Sequence, residues 1–248
     1  MMNIADYLDS TYLKTPQQSG LSEEQTVQKD RELATEANDN GIFAVMIRPE
    51  YVSEIKKFLT DKNSDVKIGT VIGFHEGTDS VEEKLAEARK AIDDGADELD
   101  FVINYSEYLN GNIDLVKTEF LECTKLCLQH QKIAKWIIEI AALSDDQIAD
   151  LTGKISNWAE ENFDENNLSA IFVKSSTGFY ETKDGKPNGA TFKGIKIMLE
   201  NAGKLPVKAA GGVRNHSDAV KMINLGVKRI GTSSALALLE DQSSGEGY

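Results

Sequence analysis

The chain has 248 residues, long enough for one large hydrophobic core, and its 40% hydrophobic and 27% charged residues describe an ordinary soluble globular protein. A formal net charge of −14 argues against nucleic acid or an anionic membrane surface as a partner, since both attract positive charge. No apolar run approaches the length of a membrane span, and the N-terminus is a mixed-charge start rather than a signal peptide. Cys123 and Cys127 stand four apart in a helical pattern and are expected to pack on one face in a reducing compartment, so the chain reads as cytoplasmic. Three scattered histidines give no zinc signal, and no metal site is expected.

Ile4 to Leu13 reads as a short helix running into a short strand. A helix follows from Ser22 to about Asn38, with Glu23 and Glu24 in a first turn where negative charge suits the helix dipole. Phe43–Ile47 is a continuous apolar strand of the kind buried on both faces, and Pro49 opens the next helix through Leu59. Lys67–Ile72 is the third strand, and Gly73–Gly77 is a loop. Asp79 or Ser80 caps a helix reaching Asp94, which Gly95 ends. Glu98–Ile103 is the fourth strand, Asp114–Gln129 a helix, and Ala134–Ile140 the fifth strand. Ser144 caps a helix to about Glu161, and Ala170–Lys174 is the sixth strand, with Ser175–Gly178 as the loop that ends it. A Gly-, Lys- and Asn-rich loop then precedes a helix from Thr191 to Asn201. Pro206–Ala210 and Arg229–Ser233 are the last strands, separated by a helix from Ser217 to Leu225.

Strand and helix therefore alternate eight times with short connections and no break in composition. That pattern implies a parallel sheet with crossover helices, and eight units in about 250 residues fit a closed (β/α)8 TIM barrel. An open doubly wound sheet is the alternative, weakened because no Gly-x-Gly-x-x-Gly follows the first strand. Residues 1–240 are read as one barrel domain and 241–248, polar and Gly/Ser-rich, as a flexible tail.

In such a barrel the active site lies at the carboxyl ends of the strands. The charges inside the strands are Asp100, Lys135, Glu139, Lys174 and Lys208. Alone, Lys174 fits a strand-end lysine that snorkels to solvent, and the set fits a structural ion-pair cluster. Gathered in one pocket, however, neighbouring ammonium groups disfavour each other's charge, and a neutral lysine amine is a nucleophile able to form a Schiff base. Two loops suggest phosphate. Gly211, Gly212 and Arg214 follow the seventh strand, and Ser233-Ser234 opens a short helix after the eighth, in the two loops where barrels often bind phosphate.

Four stretches in register, Gly95–Asn104, Phe172–Phe179, Val207–Arg214 and Arg229–Ser234, resemble the deoxyribose-phosphate aldolase family of class I aldolases. The resemblance implies reversible cleavage of 2-deoxy-D-ribose 5-phosphate to D-glyceraldehyde 3-phosphate and acetaldehyde, in deoxyribose phosphate catabolism, with no cofactor. It makes Lys174 the Schiff-base lysine, Lys208 the lysine that lowers its pKa, Asp100 the acid/base carboxylate and Lys135 its neighbour in a proton relay. Asp9, Thr11 and Thr177 match positions near the lysines and the relay, and Ser175 keeps the hydroxyl where the family reads Lys-Thr-Ser-Thr-Gly. Gly178, Gly211, Gly212, Arg214, Ser233 and Ser234 fall where the family holds phosphate, and Tyr248 matches a C-terminal tyrosine that assists proton transfer. Arg48, His75, Ile140 and Ala141 depart from the family pattern, and Arg48 and His75 are expected as solvated rim positions. Another Schiff-base barrel aldolase or transaldolase, and a sugar-phosphate-binding barrel without catalysis, are the competing readings. A homodimer is expected from an exposed apolar helix face.

Overall fold

The computed structural model describes residues 2–183 and 185–240. Eight strands close into a barrel in sequence order: β1 (Leu8–Thr11), β2 (Ala44–Ile47), β3 (Lys67–Ile72), β4 (Glu98–Val102), β5 (Ile133–Ile137), β6 (Ile171–Lys174), β7 (Val207–Ala210) and β8 (Arg229–Thr232). All pairs are parallel, and β8 returns to β1 with Leu8 opposite Ile230 and Asp9 opposite Gly231. The barrel is the closed alternative, and the open sheet is excluded.

The helices are α1 (Pro16–Ser19), α2 (Glu23–Asp39), α3 (Val52–Asp61), α4 (Val81–Asp93), α5 (Tyr105–Leu109), α6 (Ile113–Gln129), α7 (Asp145–Asn162), α8 (Phe192–Asn201), α9 (His216–Leu225) and α10 (Ala235–Leu239). Ser22, Ser80 and Ser144 start α2, α4 and α7 with reciprocal capping boxes to Gln25, Glu83 and Gln147. Each satisfies two backbone donors that a helix end leaves open. Of the two candidate caps before α4, Ser80 holds the position.

Two strands end differently from their apolar runs. The fifth stops at Ile137, because Glu139 takes a left-handed φ of 54° and Ile140 begins a single 3-10 turn. The sixth begins at Ile171, with Ala170 closing another 3-10 turn. The short helices α1 and α5 lie in stretches too brief to show a helical period.

The two-residue period of the strands sorts the side chains. Outward residues such as Val45, Ile68, Leu99, Phe101, Trp136, Val173 and Ile230 are buried against the helices in one continuous core. Inside the barrel the filling is split. Met46 and Val71 on β2 and β3 join Leu13, Phe74 and Phe179 in a small apolar cluster. The strands from β4 round to β1 instead send charged side chains inward, all of them buried.

A buried pair also ties the outer layer to β4. Lys84 of α4 meets Glu119 of α6 and donates to the carbonyls of Gly77 (2.7 Å) and Val102 (2.8 Å). The second oxygen of Glu119 accepts the Asn104 N–H at 3.0 Å. All three ammonium protons are therefore engaged, as a buried charge requires.

Candidate active site

Asp100, the middle residue of β4, is the hub of the interior charges. Its Oδ2 accepts from Lys174 Nζ and Lys208 Nζ, each at 2.8 Å, and its Oδ1 accepts from Lys135 Nζ at 2.9 Å. The four residues come from β4, β5, β6 and β7, whose inward positions the register aligns. Of the five charges expected to share one site, Asp100, Lys135, Lys174 and Lys208 do so, whereas Glu139 lies past the end of β5 and bonds Thr177 instead.

Asp9 is more central than its sequence position suggests. One oxygen lies 2.5 Å from Lys208 and 3.5 Å from Lys135, and the other accepts from Arg229 Nε at 2.7 Å. Arg229 also donates to both oxygens of Glu98, at 3.1 and 2.8 Å, and Glu98 accepts from Lys135 at 2.6 Å. Thus four cations (Lys135, Lys174, Lys208, Arg229) meet three carboxylates (Asp9, Glu98, Asp100) in a buried network. Glu98 and Arg229 were missed as interior charges. Each opens its strand, where an isolated charge reads as solvent-facing, and only the closed barrel brings them together.

Burial raises the Asp100 carboxyl, but Lys135, Lys174 and Lys208 outweigh it and hold the group well below the usual carboxylate range. Asp9 is held low in the same way by Arg229, Lys208 and Lys135. Burial works against the Lys135 ammonium, yet Asp100, Glu98 and Asp9 outweigh it and push the group above the ordinary lysine value. Lys208 goes the other way. Burial dominates, the Lys135 and Lys174 cations add to it, and the amine falls to about 8. Gly231 makes room for this side chain, since a Cβ there would stand 3.2 Å from Lys208 Cε.

Above the network opens a cavity of about 370 Å³. Of the clustered lysines only Lys174 lines it, 4% exposed, whereas Lys135 and Lys208 lie beneath at 0%. The other walls include Thr11, Thr177 and Gly178, together with Gly211, Gly212, Arg214, Ser233 and Ser234. Every phosphate candidate thus faces the same space as Lys174.

Backbone geometry explains the glycines. Gly178, Gly211 and Gly212 have φ of 81°, 76° and 81°, a region costly for other residues. The loops after β6 and β7 are stitched together: Ala190 N–H donates to the carbonyls of Ala210 (3.0 Å) and Gly211 (2.9 Å), and Asn188 donates to Gly178 O at 3.0 Å. Thr232 joins the loops after β7 and β8, donating to Val213 O at 3.1 Å and accepting the Ser234 N–H at 3.1 Å. Thr11 donates to the Asp9 carbonyl at 2.9 Å. Thr177 donates its backbone N–H (3.0 Å) and its hydroxyl (2.5 Å) to Glu139, whose own carboxyl burial raises. Thr232 belongs to the hydroxyl-bearing stretch at the end of β8, whereas Asn188 and Lys14, which also line the cavity, carry no signal in the sequence beyond being polar.

The rim differs from expectation. Arg48 is half-buried rather than solvated: its Nε donates to Leu13 O at 2.9 Å, and its guanidinium lies 4.9 Å from the Phe74 ring centre. His75 stacks on Phe179 with ring centres 5.7 Å apart. Both are fixed by the aromatic wall that β3 and β6 present to the mouth. Tyr248 and the rest of 241–248 lie outside the described residues.

No helix among the described residues is long and apolar enough to cross a membrane. The family model described as DeoC/LacD family aldolase matches residues 10–242. A deoxyribose-phosphate aldolase of Thermococcus gammatolerans is 37% identical over 99% of both chains, and one of Deinococcus radiodurans is 35% identical over the full length of both. The solved structure of deoxyribose phosphate aldolase from Aeropyrum pernix, described as a unique tetrameric structure, matches over 97% of this chain and 91% of its own at 32% identity and a TM-score of 0.78. The barrel, its interior lysines and these likenesses agree: the chain belongs to the DeoC/LacD family of aldolases.

Proposed function

We propose that the chain is a class I aldolase that reversibly cleaves 2-deoxy-D-ribose 5-phosphate to D-glyceraldehyde 3-phosphate and acetaldehyde, with Lys174 as the Schiff-base nucleophile. The observation that carries this reading is the position of Lys174, held by the same Asp100 oxygen as Lys208 yet facing the cavity that the phosphate loops line.

Attack on the sugar's C1 carbonyl needs a neutral amine, and loss of water from the carbinolamine gives the iminium. A base takes the C3 hydroxyl proton, the C2–C3 bond breaks, and its electrons move to the iminium nitrogen as an enamine. D-Glyceraldehyde 3-phosphate leaves, an acid protonates the enamine at C2, and water releases acetaldehyde from Lys174. Lys208, at about 8, titrates near neutral pH and suits proton transfer. Asp100 is held too low to keep a proton at neutral pH, so it acts by bridging the two amines and passing protons between them. Lys135 keeps Asp100 in place. The phosphate binds the backbone N–H groups of the Gly211-Gly212 and Ser233-Ser234 loops with Arg214, and Tyr248 assists proton transfer. The protein works in the cytoplasm as a self-associating chain, with a dimer as its smallest assembly.

Release of acetaldehyde from 2-deoxy-D-ribose 5-phosphate and from other sugar phosphates tests the reading. At least a hundredfold preference in kcat/KM for the deoxy sugar is expected. A larger rate on another sugar phosphate would assign a different barrel aldolase, and tight binding without turnover would assign a non-catalytic barrel.

A further inference from the structure

Arg229 and Glu98 take no part in the scheme above, and neither lines the cavity. Both are nevertheless buried, at 5% and 1% exposure, and both are held by several ion pairs. The guanidinium carbon of Arg229 stacks 3.8 Å from the Phe43 ring centre, while its nitrogens grip Asp9 and Glu98. From there two chains of ion pairs run to the residues beneath the cavity. One runs from Arg229 through Asp9 to Lys208, and the other from Glu98 through Lys135 to Asp100.

We infer that Arg229 and Glu98 are positioning residues that set how tightly Lys208 holds its proton, Arg229 by neutralising Asp9 and Glu98 by neutralising Lys135; this rests on the aldolase reading above. Lys208 is faced by Asp9 from β1, Asp100 from β4, Lys135 from β5, Lys174 from β6 and Arg229 beside it on β8, with Glu98 of β4 behind Lys135 and Arg229. Glu139, the other buried carboxyl near this end, is turned to Thr177. With four cations against three carboxylates, the cluster carries one proton more than it can balance, and burial pushes Lys208 below the ordinary lysine value while Lys135 is pushed above it. Removing the Arg229 cation leaves Asp9 free to draw on Lys208 and strengthens its hold on the proton. Removing the Glu98 anion leaves Lys135 and Arg229 uncompensated and weakens it. The two changes therefore act with opposite sign.

The test is the pH profile of kcat/KM for 2-deoxy-D-ribose 5-phosphate in the parent protein and in Arg229→Met, Arg229→Lys, Glu98→Gln and the Arg229→Met/Glu98→Gln double variant. One unit charge removed at this range corresponds to about one pKa unit, or tenfold in proton affinity. Arg229→Met is expected to move the acid limb up by about one pH unit and lose about tenfold in rate below it, with recovery at higher pH. Glu98→Gln moves the limb down, the double variant returns it near the parent, and Arg229→Lys leaves it near the parent. A purely structural role would lower rates at every pH without moving the limb, and that result, or two single variants shifting the same way, overturns the inference. If Arg229→Met does not fold, Glu98→Gln and Arg229→Lys decide it by the same limbs. A parent protein that does not cleave the sugar sinks the aldolase reading, whereas an active parent with unshifted variants sinks only the role given to Arg229 and Glu98.

Discussion

Lys174 and Lys208 donate to a single oxygen of Asp100, each at 2.8 Å, although they stand on different strands and only Lys174 reaches the cavity. Two cations on one acceptor repel each other, so the arrangement favours loss of one proton from the pair. It also provides a direct path along which that proton moves.

Asp100→Asn removes the charge that both amines share while keeping the side chain's shape. Schiff-base formation survives, because loss of the anion favours neutral amines. Proton transfer does not, and kcat falls about 10²- to 10⁴-fold. Borohydride trapping alongside steady-state assays checks this, and turnover within tenfold of the parent would contradict it.

Arg214 is exposed, lines the cavity and lies beyond the interior network. Arg214→Ala therefore removes a contact to phosphate and not to the reacting carbons. KM for the phosphorylated sugar rises roughly 10- to 100-fold, as expected for a charged hydrogen bond. The kcat/KM for unphosphorylated 2-deoxyribose stays within about twofold, and an equal loss on both sugars would show that Arg214 does not bind phosphate.

Asp30 of α2 is 1% exposed, and neither of its oxygens has a hydrogen-bond partner among the described residues. Burial, with Glu50 nearby, pushes its carboxyl up to about 7. A carboxyl with a raised folded value binds a proton in the native state that the unfolded chain has released. Stability therefore falls as pH rises from about 4 to 7 and then levels off. Asp30→Asn removes this dependence and is more stable than the parent at pH 8 by roughly 2 to 4 kcal/mol, with the gap closing towards pH 4. Urea unfolding at the two pH values measures it.

The barrel was legible because its strands are buried on both faces, so Phe43–Ile47 reads as an uninterrupted apolar run flanked by helices with strong caps. Lys174, Lys208 and Asp100 were legible as charges inside such runs. Glu98 and Arg229 were not, because a charge at the first residue of a strand has the same local pattern whether it faces water or a closed interior. Their partners, Asp9 among them, lie up to 220 positions away and meet only when β8 pairs with β1. The end of β5 was misjudged for a local reason: Ile140 is apolar, but Glu139 before it has turned to φ 54° to reach Thr177. Arg48 and His75 gave no sign of their aromatic partners, which come from other loops.

Incubation of the protein with acetaldehyde and sodium borohydride, followed by peptide mass mapping, tests the nucleophile most directly. One adduct of an ethyl group on Lys174 is expected, absent from Lys174→Met. An unmodified Lys174, or an adduct on Lys208 in its place, would contradict it.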